Sequence, residues 1–298
     1  MTFEEKLEKA NIIRGRDKFG AMNEAELASL PGREQELLVP VGKKTVRVFE
    51  IRPDTGIGRP DALIINYHGG GFIKGRSDRD KRYCSFLAQA LGCVVWDVDY
   101  CLAPEEPFPA AVQESYGVAA YAFDNAEALG FDPDRIAFAG HSAGGNLVCA
   151  AMLTDAGVHK LRPCCLLLEY FPADQTRPTA EKLTEAMQDD PWWQHRAQTE
   201  AEYAAFYAGP EQLADPLCSP LLAPVGAFAG LPPTLILSAG TDTLRNEVEE
   251  MASRLIAEGV ELTAIRVGEA MHGFTVNRTE GWERALALHC KFFRQQLL

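Results

Sequence analysis

The chain has 298 residues, 47% hydrophobic and 24% charged, and its 29 basic against 42 acidic side chains leave a formal net charge of −13. That is the composition of an ordinary globular protein of one large domain or about two, and it excludes disordered and fibrous classes. The negative balance repels nucleic acid and anionic membrane surfaces, so neither is expected as a partner.

The opening residues Met1-Thr2-Phe3-Glu4-Glu5-Lys6 are acidic where a secretory signal is basic and then apolar. The longest apolar stretches, around Leu147 to Leu153 and Cys164 to Leu168, fall far short of the roughly 20 residues that span a bilayer. A cytoplasmic protein is expected. Its 8 cysteines lie mostly within apolar runs and none forms a C-x-x-C pair, which favours buried free thiols over a disulfide framework or a structural metal.

In chain order, the first 35 residues are charged and helix-like, with Phe3, Leu7, Ile12 and Ile13 as apolar contacts and Pro31-Gly32 as a stop. A helical segment over residues 1 to 43 is predicted. Residues 44 to 51 alternate like an exposed strand, whereas 62 to 67, 93 to 98 and 135 to 139 are short apolar runs of the kind found in buried strands. Residues 78 to 91, 110 to 129 and 143 to 154 place apolar side chains at three- and four-residue intervals, as helices covering a sheet do. Further strands are predicted at 163 to 169, 234 to 239 and 261 to 267, and helices near 244 to 258 and 280 to 296. The alternation implies parallel βαβ units. Residues 173 to 217 lack a strand pattern but carry Trp192, Trp193, Tyr203, Phe206 and Tyr207 in helical spacing, and read as a helical insertion. The expected plan is an α/β core in two parts, 44 to 172 and 218 to 298, with a cap from residues 1 to 43 and 173 to 217.

The strongest local signal is Gly140-His141-Ser142-Ala143-Gly144-Gly145, a G-x-S-x-G turn between a predicted strand and a predicted helix. Such a turn strains the central serine and leaves no room for side chains two positions either side, so Gly140 and Gly144 are sterically required. His68-Gly69-Gly70-Gly71-Phe72 follows another strand, and its glycines expose backbone N–H groups able to hold an oxyanion.

With the Tyr100-Cys101-Leu102-Ala103-Pro104-Glu105 segment, Phe108-Pro109-Ala110-Ala111, the run AGTDTLRNE at 239 to 247 and His272-Gly273-Phe274, these motifs resemble the hormone-sensitive-lipase-like α/β-hydrolases, which include bacterial acetyl esterases and arylacetamide-deacetylase-like carboxylesterases. The resemblance covers roughly residues 60 to 298. It implies an α/β-hydrolase fold, a mostly parallel sheet flanked by helices under a helical cap, and the triad order Ser142, Asp242, His272. The residues agree. Asp242 follows a strand, at the sheet end where open α/β folds bind ligands, although the same position suits a helix N-cap. His272 lies in a loop bounded by Gly268 and Gly273, free to reach Ser142. Glu247 is the backup acid, but one turn into its helix it should point away. His68 and His141 are expected to brace loops, and His159, His195 and His289 to be surface or helix residues. Two departures stand out: Cys101 replaces an arginine, and the DPL-type segment reads Asp242-Thr243-Leu244.

The expected chemistry is hydrolysis of short acyl esters by a soluble serine carboxylesterase. His272 deprotonates Ser142, Ser142 attacks the acyl carbonyl, Asp242 holds the imidazolium, and N–H groups of Gly70, Gly71 and Ala143 hold the oxyanion. No metal or organic cofactor is needed, since every reacting group is the protein's own. In the resembling family the cap closes the pockets, so Phe72, Trp192, Trp193, Phe206 and Tyr207 are candidates for shaping them. Amides or lactones are alternative substrates. A true lipase is disfavoured by the charge, a prolyl-oligopeptidase-like peptidase by the length, and a non-catalytic binder by the presence of His272. A monomer or a homodimer is expected; dimers of the resembling family often pair through the edge strand, here 261 to 267.

Overall fold

The computed structural model describes residues 1–16, 20–54, 58–184 and 187–297. The apolar runs become the middle of a sheet of eight strands: β1 (Arg33–Val41), β2 (Lys44–Arg52), β3 (Leu63–Tyr67), β4 (Val94–Asp99), β5 (Ile136–His141), β6 (Leu166–Glu169), β7 (Thr234–Thr241) and β8 (Leu262–Met271). Their spatial order is β1-β2-β4-β3-β5-β6-β7-β8. β3 to β8 are mutually parallel, and only β2 runs against its neighbours. The order reverses where β3 lies between β4 and β5, the kind of switch point at which open α/β sheets place ligands.

The runs are continuous rather than alternating because both faces of the sheet are covered. Leu63, Ile65 and Tyr67 of β3 enter one buried cluster and Ile64 the other. The helices are α1 (Phe3–Arg16), α2 (Glu24–Ala28), α3 (Asp78–Leu91), α4 (Ala110–Asp124), α5 (Ala126–Leu129), α6 (Ala143–Asp155), α7 (Thr179–Lys182), α8 (Pro191–Tyr207), α9 (Arg245–Ala257), α10 (Phe274–Asn277) and α11 (Trp282–Gln296). Buried residues of α4, α6 and α9 fill the first cluster, and those of α3 and α11 the second. None of the described helices is long and apolar enough to cross a membrane.

Three expectations are corrected. The helical reading of 1 to 43 fails from Arg33 onward, where β1 pairs with β2. Leu37, Val39 and Val41 turn inward while Leu38 is exposed, a period of two that the preceding Glu34-Gln35-Glu36 obscures in the sequence. The helix expected over 110 to 129 breaks at Asn125 into α4 and α5. β6 begins at Leu166, so Cys164 and Cys165 precede it. Cys101 and Cys164 are half-buried and the other six cysteines buried.

The insertion forms α7 and α8. Pro191 opens α8, and the Asp190 carboxylate accepts from the N–H of Trp192, satisfying one of the free donors of the first turn. Lys6 of α1 donates to the Ala205 carbonyl of α8 at 2.5 Å, so the N-terminal helix and the insertion touch.

Candidate active site

Ser142 ends β5 and begins α6 with φ +54° and ψ −125°, a conformation uncommon for a residue with a side chain. The chain tolerates it because a Cβ on Gly140 would lie 2.4 Å from the Gly144 carbonyl oxygen, and one on Gly144 would lie 1.8 Å from that of Tyr67. The Ser142 N–H donates to the Glu169 carbonyl of β6 at 2.9 Å, tying the turn to the next strand. From here Ser142 Oγ lies 2.9 Å from His272 Nε2, and His272 Nδ1 lies 2.9 Å from Asp242 Oδ2. The three residues follow β5, β7 and β8 at their carboxyl ends.

Asp242 is 1% exposed. Burial pushes its carboxyl up, but the facing His272 and the nearby Arg196 outweigh that and hold it below the usual range. Its other oxygen accepts from the N–H of Leu244 at 3.2 Å. This contact lies before α9, whose N-cap position is Leu244, so Asp242 closes a turn ahead of the helix with one oxygen and faces His272 with the other. The glycine run lies opposite. Gly70 and Gly71 adopt φ +133° and +62°, and a Cβ on Gly69 would meet the Ser142 Cβ at 3.2 Å. Among the described residues, no acceptor takes the N–H of Gly70, Gly71 or Ala143, and all three line a cavity of about 710 Å³ together with Ser142 and His272.

A family profile described as an alpha/beta hydrolase fold matches residues 64–276. The chain belongs to the alpha/beta hydrolases. An arylesterase of Saccharolobus solfataricus is 32% identical over 217 residues, covering 72% of this chain and 68% of that protein. A hormone-sensitive lipase of Ictidomys tridecemlineatus is 34% identical over 147 residues, 49% of this chain and 19% of that one, in keeping with the branch the motifs point to. Among solved structures, an esterase of Pyrobaculum calidifontis superposes with a TM-score of 0.79 at 28% identity, covering 98% of this chain and 92% of that one.

Behind the serine, this hydrolase buries a second set of charges. His141 Nε2 lies 3.1 Å from Asp80 Oδ1, and Asp80 also accepts from the backbone and hydroxyl of Ser77 at the start of α3. Burial opposes the Asp80 charge, yet His141, His68 and Ser77 hold its carboxyl well below the usual range. Glu169 accepts from Thr275 Oγ1 at 2.7 Å and lies 3.2 Å from His289 Nε2. His289 is thus a helix residue, as expected, but wholly buried. His159 and His195 are exposed. His68 stacks on Tyr100 with centroids 4.3 Å apart, and its carbonyl accepts from the Tyr100 hydroxyl, which braces the glycine loop. Tyr170, not singled out in the sequence, packs its ring against His272 at 5.2 Å. Glu247 points away from the site, as expected, accepting from the Asp174 N–H and from Lys182.

The pocket candidates divide. Phe72, Trp192 and Trp193 line the hydrolase's cavity, whereas Phe206 and Tyr207 are excluded from its wall and buried in the core, where Tyr207 stacks on Phe72 at 3.8 Å. The reason is position along the helix. The stretch of α8 from Trp192 to Ala205 borders the cavity, whereas Phe206 and Tyr207 end the helix beyond it, where Tyr207, one turn after Tyr203, meets Phe72 and Phe108. Tyr203 covers the glycines so closely that a Cβ on Gly71 would meet its ring at 2.2 Å.

Proposed function

We propose that this hydrolase is a serine carboxylesterase that cleaves short acyl esters through an acyl-enzyme on Ser142. The observation that carries the reading is the relay of two 2.9 Å contacts, Ser142 Oγ to His272 Nε2 and His272 Nδ1 to Asp242 Oδ2, on the wall of the cavity that Gly70, Gly71 and Ala143 also line. His272 takes the hydroxyl proton as Ser142 Oγ bonds to the acyl carbon. Asp242 accepts from Nδ1, keeps Nε2 available as the base, and stabilises the imidazolium. Three backbone N–H groups meet the oxyanion, each such donor typically contributing about 3 to 4 kcal/mol to the transition state. Collapse expels the alcohol oxygen, which takes the proton from His272. Water, deprotonated by His272, then attacks the acyl carbon, and collapse breaks the acyl–Oγ bond, releases the acid and returns the proton from His272 to Ser142 Oγ.

The arylesterase relative and the Pyrobaculum calidifontis esterase support esters over amides and lactones. The cavity volume suits a small-molecule ester, with Trp193 and Tyr203 on its cap side. Work in the cytoplasm as a monomer or homodimer, without cofactor or nucleic acid, completes the reading, supported by the −13 charge and the mostly buried thiols. The test is hydrolysis of p-nitrophenyl esters from acetate to palmitate by the wild type and by Ser142→Ala. Activity peaking at short chains and lost in the variant is expected. A folded wild type inactive on every ester, or a Ser142→Ala protein as active as the wild type, overturns it.

A further inference from the structure

The departure from the family pattern at Thr243 has a partner. Thr243 is 2% exposed, and its hydroxyl lies 2.6 Å from Glu200 Oε1 of α8 but 3.4 Å from the neighbouring Asp242 Oδ1. With one proton to give, the hydroxyl donates to Glu200. Glu200 Oε1 also accepts from Arg196 Nε at 2.9 Å, and the Arg196 charge reaches Asp242. A proline at position 243, as in the DPL-type segment, has no hydroxyl and cannot make this bond. Arg196 and Glu200 stand on the same face of α8 as Trp193 and Tyr203, which wall the cavity.

We propose that Glu200 and Thr243 are positioning residues, through which the cap helix α8 holds the Asp242 loop in the register that lets Asp242 bond to His272. The inference rests on the serine-hydrolase reading of Ser142, Asp242 and His272. The helix that grips the acid loop also presents Trp193 and Tyr203 to the cavity, so the cap wall and the Asp242–His272 register share one element. Among the described residues, the charged and titratable groups around the Asp242–His272 pair include Arg196 and Glu200 of α8, Tyr170 after β6, Glu169 held by His289 and Thr275, Asp80 held by His141, and Glu247 of α9 with Lys182 on its far side; Lys74, Arg79 and Arg177 also line the cavity.

The test uses Glu200→Gln, Arg196→Met and Thr243→Val, read by NMR titration of the His272 imidazole and by the pH profile of kcat/KM on p-nitrophenyl acetate. Glu200→Gln keeps an acceptor for Thr243 but leaves the Arg196 charge unbalanced, so the His272 titration and the acid limb should move to lower pH by about half a unit or more. Arg196→Met should move both the other way. Thr243→Val should cost roughly tenfold in kcat with KM little changed, and Thr243→Ser should restore it. Shifts of the same sign in both charge variants, no shift in either, or an unchanged kcat in Thr243→Val overturns the proposal. Because the titration needs no turnover, a folded chain inactive on all esters sinks the esterase reading while the NMR arm still decides the positioning role.

Discussion

Ser142 is held at φ +54° by what its neighbours lack. Of the residues around it, Gly144 has the least freedom, since its hypothetical Cβ meets the backbone oxygen of Tyr67 in a buried strand and neither side can yield. Gly144→Ala is expected to destabilise the fold by several kcal/mol, in the range of severe overpacking, and urea denaturation followed by circular dichroism measures it; a midpoint like the wild type's contradicts the steric argument. Asp242 tests the relay differently. Asp242→Asn preserves shape but presents an amide that favours the wrong histidine tautomer, and kcat should fall by about 10³- to 10⁴-fold in protein that still folds, which steady-state kinetics with circular dichroism resolve.

Where α9 packs beside α7, the buried Glu247 faces Lys182 at 3.2 Å. Burial is the larger influence and lifts its carboxyl from 4.5 to about 7, with Lys182 opposing it. Because the folded value is raised, folding favours the protonated form. The stability it contributes is complete below pH 4.5 and is lost as pH rises from 4.5 to about 7. Glu247→Gln should therefore raise the melting temperature at pH 8 by several degrees and change it little at pH 4.5. An equal change at both pH values removes titration as the cause. Asp80, Glu169 and Asp242 have the opposite sign: all are held below their usual range, so what they contribute persists at neutral pH and is lost in acid.

The N-terminal helix is joined to the rest of the molecule by Lys6, by the buried Ala10 and half-buried Ile13, and by Arg14. Arg14 donates to the carbonyls of Ile73 at 2.7 Å and Ala103 at 2.9 Å, and to both oxygens of Glu105 at 2.6 and 2.8 Å. This guanidinium reaches the segment that carries Cys101 where the resembling family has an arginine. Cys101 meanwhile gives its backbone N–H to Glu114 at 2.7 Å. Arg14→Met should cost about 2 kcal/mol, since two carbonyls and a carboxylate lose a charged donor, and should loosen α1 from the loop that continues the oxyanion glycines. Limited proteolysis and a denaturant melt check this; unchanged protection of the first 16 residues argues that the helix is held by other contacts.

The buried parallel strands, the serine turn and the glycine run are legible in the residues because each is governed by neighbours in the chain. Apolar runs of strand length, a helical period of three and four, and glycines where a Cβ cannot fit are short-range rules. Asp242 and His272 are legible from their strand ends together with the motif order of the resembling family. What escaped depends on side chains brought together from afar: Glu200 with Thr243 across 43 residues, Thr275 with Glu169 across 106, Tyr83 with His289 across 206. Phe206 and Tyr207 look as suited to a pocket as Trp193, and only the place where α8 ends against the core puts them beyond the cavity. β1 is hidden because Glu34-Gln35-Glu36 interrupts the apolar alternation at a sheet edge, where charge is compatible with a strand and Glu34 pairs with Arg76 and Lys81. Chain-local sterics and periodicity thus specify the elements and the nucleophile, whereas the order of strands in the sheet and the seating of α8 on it determine which distant charges meet, since those distances exist only once the sheet is assembled.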